Sequence, residues 1–353
     1  MSRQRKSGSP ACKSYNRQLR DAISEFLPHQ GLSLLSDDRR VRFTGRMVAL
    51  LAILMAWSHC DTLVDRFSEA RSAVVGFHAT RRRPGRSLEG FCKALVGQTA
   101  AILAVLCRHW RRGVMQLAGE HWKVEGWTLF GVDGSKFDCP RTAANEKGFG
   151  VSGKDKSGPQ QLLTCLFHIG CGMLWGWARD GVQGLYLLTN VLEHSRLSDA
   201  SAARMYRMRW GIEVMWRGLK QTMGHHKLLG KTPDRAAAEL DWAMAGLWMT
   251  QLIGGRRMIQ SRRCPRCHSP AGTLRVLREA LSGRRGDRKS LSMKLALAVK
   301  DEYQRRGSKS ARNYPEKRRQ RPPGKPLARM ASAIEKRLIQ RILEQPPPDQ
   351  LAA

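Results

Sequence analysis

Four polar residues stand at spacings that an α-helix would bring into one line: Tyr206, Arg209, Glu213 and Lys220, within the run Tyr206-Arg-Met-Arg-Trp-Gly-Ile-Glu-Val-Met-Trp-Arg-Gly-Leu-Lys220. At about 100° per residue, with Tyr206 at zero, Arg209 falls near −60°, Glu213 near −20° and Lys220 near −40°. One narrow stripe thus carries a phenol, a guanidinium, a carboxylate and an ammonium. By type, a guanidinium and an ammonium suit phosphate oxygens, the first as a planar fork and the second as a point charge. A carboxylate is a hard oxygen donor suited to magnesium or manganese. Met205, Met208, Ile212, Met215, Leu219 and Met223 fall on an adjoining arc of about 100°, the apolar face such a helix presses into a core. The bland alternative for the polar stripe is a solvated face laced with ion pairs.

The pattern Y-x2-R-x3-E-x6-K resembles the signature of the insertion-sequence DDE transposases of the IS-four group, and this segment matches it at every position. The resemblance implies a ribonuclease-H-like core in which three acidic residues bind divalent metal, Glu213 being the last of them. It extends upstream to Leu129-Phe-Gly-Val-Asp133-Gly-Ser135, which looks like the family's first-strand motif, and to Leu187-Leu-Thr-Asn190, which looks like its last core strand. Downstream it runs through Met223 to Pro233, so that roughly residues 127 to 253 resemble the catalytic region. The activity that the resemblance implies is metal-assisted phosphodiester cleavage and strand transfer. Asp133 and Glu213 would ligate Mg2+ or Mn2+, two ions serving an in-line displacement. Arg209 and Lys220 would hold phosphate oxygens of double-stranded DNA at transposon ends, and Tyr206 would hydrogen-bond or stack near the strand end. Taken by itself, Asp133 could equally be a strand-end Asp turning through Gly134 and Ser135.

The chain also departs from that family. Only 80 positions separate Asp133 from Glu213, too few for the helix, the fourth strand with the second Asp and the later elements that a complete core needs. Asp180, just after the third expected strand, is the least poor substitute for the missing ligand. The expectation is a transposase with an internal deletion, its catalytic competence in doubt. The alternatives are a non-catalytic DNA-binding remnant and a basic nucleic-acid-binding protein of other descent.

Charge points to nucleic acid without reference to any family. Lys and Arg number 62 against 29 Asp and Glu, a net charge of +33. The segment from Gly255 to Arg341 holds 26 basic and 6 acidic residues, and the first twenty residues hold six basic and no acidic ones. Such arms neutralise phosphates and release counterions, which gives affinity that falls steeply with salt; a solubilising tail or an anionic-membrane contact has the same composition.

At 353 residues the chain is long enough for two or three domains. Nine scattered cysteines do not suggest a disulfide framework, and no apolar signal core follows the basic N-terminus. A reducing bacterial cytoplasm, with the protein at the nucleoid, is the expected compartment. Met47 to Cys60 is uncharged but too short to span a bilayer and reads as a buried helix. Leu162 to Ala178 is broken by Gly170-Cys-Gly172 and reads as a hairpin of two buried strands.

The expected fold class is α+β or α/β. Residues 1–20 form a basic disordered arm, 21–118 a helical N-terminal domain, 119–254 a shortened ribonuclease-H-like core, and 255–353 a basic region, part helical and part disordered. Helical periodicity in the N-terminal domain is clearest in Val48 to Trp57 and Leu95 to Trp110, with other helices expected at roughly Arg235 to Ile253 after Pro233, at Ser290 to Tyr303 and at Leu327 to Leu343. Strands are expected from Trp127 to Asp133, Leu162 to Ile169, Met173 to Ala178 and Leu185 to Thr189, with a loop at Glu146 to Gln160. Oligomeric state is open, a homo-oligomer being possible. Three further motifs are weak. Gly148 to Gly153 fits G-x-G-x-x-G but opens no helix. Gly224 to Thr232 has the wrong glycine spacing for a P-loop. Cys264, Cys267 and His268 make at most half a zinc site.

Overall fold

The computed structural model describes residues 10–33, 35, 42–77, 83–151, 158–179, 201, 205, 210–282, 289–300, 333 and 337. The chain divides into two compact units, Met1–Asp301 and Glu302–Ala353, and the helices and strands named below all belong to the first. That unit combines helices with a small antiparallel sheet, an α+β arrangement.

Five helices come first: α1 (Pro10–Ser24), α2 (His29–Ser33), α3 (Gly45–Trp57), α4 (Leu63–Phe77) and α5 (Leu88–Ala118). Helix α1 starts inside the segment expected as a disordered arm. The reason is its apolar stripe, since Leu19 and Ile23 are fully buried and lead into buried Phe26 and Leu27. The expected helix at Val48 to Trp57 lies in α3, whose side chains are buried on nearly every side; such a helix must be central. Ser87 caps α5 by accepting from the Gly90 N–H at 3.1 Å.

The sheet comes next: β1 (Phe130–Asp138), helix α6 (Ala143–Phe149), β2 (Gln160–His168) and β3 (Met173–Arg179), in the order β1-β2-β3 with both pairs antiparallel. The expected hairpin of buried strands is present. Two local expectations are corrected. Gly134 and Ser135 are not a turn after Asp133; they continue β1, because β2 pairs with them through Thr164 and Leu163 and draws Phe137 into the core. Part of the expected loop is α6, nucleated by Thr142 accepting from the Asn145 N–H at 3.2 Å. Asn145 is itself buried, donating to Pro140 O and Gly230 O at 3.0 Å each.

Beyond the sheet lie α7 (Trp210–Arg217), one π-helical turn (Gly218–Thr222), α8 (Pro233–Gln260), α9 (Pro270–Leu281) and α10 (Leu291–Ala296). Helix α8 is the axis of the unit. Its Trp248 meets Trp110 of α5 and Trp177 of β3 with ring centroids 5.4 and 6.1 Å apart, and its Gly246 carbonyl accepts from Trp57 Nε1 of α3 at 2.9 Å. One core therefore serves both the helical and the sheet layers, and the expected boundaries at 118 and 254 do not divide it. The Leu291 N–H donates to Gln18 Oε1 of α1 at 2.9 Å, tying residues beyond 254 to the first helix. Helix α10 is shorter than the expected Ser290 to Tyr303, ending at Ala296; the strand expected at Leu185 to Thr189 lies outside the described residues, as does nearly all of the helix expected at Leu327 to Leu343. Among the described helices, Leu88–Trp122 is long and apolar enough to cross a membrane. In the structure Ile102, Leu106 and Trp110 of that helix are buried in the common core.

Candidate functional site

Successive side chains of a strand point to opposite faces, so Gly131, Asp133, Ser135 and Phe137 share one face of β1. Their partners on β2 are Phe167, Cys165, Leu163 and Gln161, all buried. This is the covered face of the sheet. Part of the cover is α7. A Cβ on Gly131 would overlap the end of Ile212, and one on Gly211 would lie 3.2 Å from the Phe167 ring. Glycine at both positions lets helix and strand approach closely. One turn further on, Trp216 packs on Phe137 with centroids 5.9 Å apart and planes at 59°. Asp133 thus lies between two residues against which α7 is packed, on the face that α7 covers.

Glu213 is the residue after Ile212 on α7 and is half-buried. Asp133 Oδ1 accepts from the Gly134 N–H at 3.0 Å, so the local Asx contact forms even though the strand continues. Burial pushes up the Cys165 thiol opposite Asp133, with the Asp133 carboxylate adding to the effect.

Of the expected apolar arc, Met205, Ile212, Met215, Leu219 and Met223 are buried, and Met208 lies outside the described residues. Lys220 is not where an uninterrupted α-helix would put it. The turn Gly218–Thr222 is π-helical, closed by the Met223 N–H donating to Gly218 O at 2.9 Å. A wide turn shifts the phase of the residues after it. Lys220 Nζ donates to the Lys136 carbonyl at 2.7 Å and sits 4.9 Å from the centroid of the Phe137 ring. Partial burial lowers its pKa, and Asp138 opposes that shift. Tyr206, Arg209 and Asp180 lie outside the described residues, as does Leu187 to Asn190.

Past the π turn the chain returns to the end of β1. The Leu228 N–H donates to Asp138 O at 2.8 Å and the Asp138 N–H to His226 O at 3.4 Å, a short parallel bridge. The Leu229 and Gly230 N–H groups donate to the Glu239 carboxylate at 2.7 and 2.8 Å, so two amides of the glycine-containing loop before Thr232 are already satisfied. Burial raises the Glu239 pKa against those bonds and the Arg66 charge.

Two positioning groups have roles that the sequence does not show. Arg278 of α9 donates to Trp57 O at 2.6 Å and to Thr222 O at 3.1 Å, joining the end of α3 to the end of the π turn. His225 Nε2 donates to Ala56 O at 3.0 Å, and burial lowers its pKa to about 4. Arginine and histidine in basic or polar stretches give no sequence sign of burial. His268 is buried likewise, its Nδ1 donating to Pro265 O at 2.8 Å, while Cys267 is exposed. Among the described residues no group of three His, Cys, Asp or Glu side chains is arranged to hold a metal. No protein-family model matches the chain, and neither the curated proteins nor the solved structures give a match.

Proposed function

We propose that this chain is a DNA-binding protein of the DDE transposase type, related to the IS-four group, that engages double-stranded element ends and does not by itself complete transposition. The observation that carries the reading is the seating of the signature helix on β1. Ile212 at Gly131 and Trp216 at Phe137 bracket Asp133, so the two carboxylates matched to the family signature stand on facing elements. Three antiparallel strands in sequential order with a helix laid over the first would suit the opening half of a ribonuclease-H-like core. The net charge of +33 supplies the electrostatic part of DNA binding.

Asp133 and Glu213 are the residues that would meet Mg2+ or Mn2+. They are two hard donors where a two-ion site needs a third carboxylate to fix the separation of its ions, and the described residues do not supply it. Among the described residues the donor set therefore falls one carboxylate short of a complete metal centre.

The test is strand cleavage and duplex binding assayed together on cognate element ends with Mg2+ or Mn2+. Salt-sensitive binding without cleavage is the expected result. Robust metal-dependent cleavage, abolished by Asp133→Ala or Asp180→Ala, would overturn it and make Asp180 the missing ligand.

A further inference from the structure

The opposite face of the sheet carries an aromatic cluster that has no part in the proposed duplex binding. Phe130 and His168 are a cross-strand pair on the face away from Asp133, their centroids 5.0 Å apart. Trp122, from the 3-10 turn after α5, stacks on His168 at 4.2 Å with planes 25° apart. It also meets Phe130 at 6.3 Å and Trp175 at 5.4 Å, and Trp175 meets Phe130 at 5.5 Å. His168 is fully buried beneath the cluster, while Phe130 remains 37% exposed at its edge. Burial lowers the His168 pKa to about 4, so this ring is neutral and apolar in character near neutral pH.

The surroundings are cationic. Arg111 lies over Trp175 at 5.8 Å from the centroid and donates to its carbonyl at 3.1 Å. Beside the cluster is an open recess of about 360 Å³ lined by His121, Lys123, Val124, Gly170 and Arg266. Among the described residues no carboxylate lines it. Glu120 is exposed beside it and pairs with His121 at 3.6 Å, and Glu125 occupies the next tight turn, at φ 51°. Gly170 is held closely under the His121 carbonyl and Gly172 against the Arg266 side chain, so one wall is main chain locked in place. An exposed ring beside basic walls is the combination by which proteins hold unpaired strands, stacking on base faces and neutralising the flanking phosphates.

We propose that this face binds single-stranded DNA, with a base stacked on Phe130 and adjoining phosphates in the recess at Lys123 and Arg266. The choice of DNA over RNA rests on the proposed transposase-type function; the stacking site itself does not. It would hold a strand separated from its complement, on the side of the sheet away from Asp133 and Glu213.

The full-length chain should be titrated with a fluorescent twelve-residue oligothymidine, with an abasic oligomer of the same length and with the matching oligouridine RNA. Phosphate attraction from the basic regions is common to all three, so the difference between base-bearing and abasic strands isolates stacking. Tighter binding of oligothymidine than of the abasic strand, by roughly 5- to 160-fold per stacked base, is expected, and Phe130→Leu should erase the difference. Asp133→Asn should leave it intact, which separates this site from the one at Asp133. Equal binding of both strands by the wild type, or an undiminished difference in a folded Phe130→Leu variant, would overturn the proposal, and tighter binding of the RNA would overturn the DNA assignment. Ultraviolet cross-linking of iodouracil-substituted oligomer to the wild type needs no variant. Adducts on Trp122 or Phe130 are expected, and adducts confined to residues beyond 301 would also overturn it.

Discussion

The Lys220 ammonium donates to the main-chain carbonyl of Lys136 at 2.7 Å. This contact fastens the π turn to β1 next to Phe137, where the ring face offers a second attraction for the cation. It also keeps the ammonium near the end of the strand, with two of its three protons still able to meet an anion.

Replacing Lys220 by Gln should cost about 1 kcal/mol of stability, the usual net worth of one such hydrogen bond. Duplex affinity should fall, and the log–log salt slope should shrink by about 0.9 for the one lost phosphate contact. An affinity and slope equal to the wild type would show that Lys220 serves β1 and not DNA.

Gly131→Val should destabilise the protein by about 1–3 kcal/mol in urea unfolding, because the new side chain overlaps the fully buried Ile212. Adding Ile212→Ala should recover part of that loss. Additive losses in the double variant would mean that α7 is not seated on β1 at this point.

Burial holds His168, His225 and His268 at about 4, below their ordinary value of 6.5. The unfolded chain therefore binds more protons between those values, and the stability these three contribute is complete above pH 6.5 and falls as pH drops toward 4. Glu239 and Asp241, raised by burial, oppose the trend because the folded state takes up their protons first. His225→Gln keeps a donor for Ala56 O and removes one titration. It should flatten the fall by up to about 1.4 kcal/mol per pH unit within that window, as read from urea midpoints at pH 4.5, 5.5 and 7.

Ending the chain at Asp301 should leave a cooperatively folded unit, whereas ending it at Gly254 should not. The shorter cut removes α9 and α10, and with them Arg278, which bonds Trp57 and Thr222, and buried Leu274, Leu277 and Leu291. Residues 302–353 carry 13 basic side chains, so the 1–301 chain should also show weaker, less salt-dependent DNA binding. Loss of cooperative melting by the 1–301 chain, or an unchanged salt slope, would contradict this.

Local patterns read well where a single period dominates. The buried arc from Met205 to Met223 comes from helical spacing alone, as does the hairpin of β2 and β3 from two apolar runs around Gly170-Cys-Gly172. Gly134-Ser135 misled because turn propensity is a weak, local preference, while nine paired positions along β2 outweigh it. Likewise α1 was hidden by its charge. Six cations in the first twenty residues suggest disorder until Leu19 and Ile23 find a core to enter.

By itself the sequence determined which residue types lie on which face of each helix, that the chain carries a large positive charge, and that Glu213 and Lys220 stand on one helical segment. Those are matters of period and composition, which need no partner. Only the tertiary structure decided that Asp133 lies within a strand and not at its end, that a π turn hands Lys220 to Lys136, and that half-buried Arg278 and buried His225 support that turn. Each of these depends on a main-chain group supplied from far along the chain, and main-chain donors and acceptors are the same at nearly every position, so no residue pattern announces where they will meet.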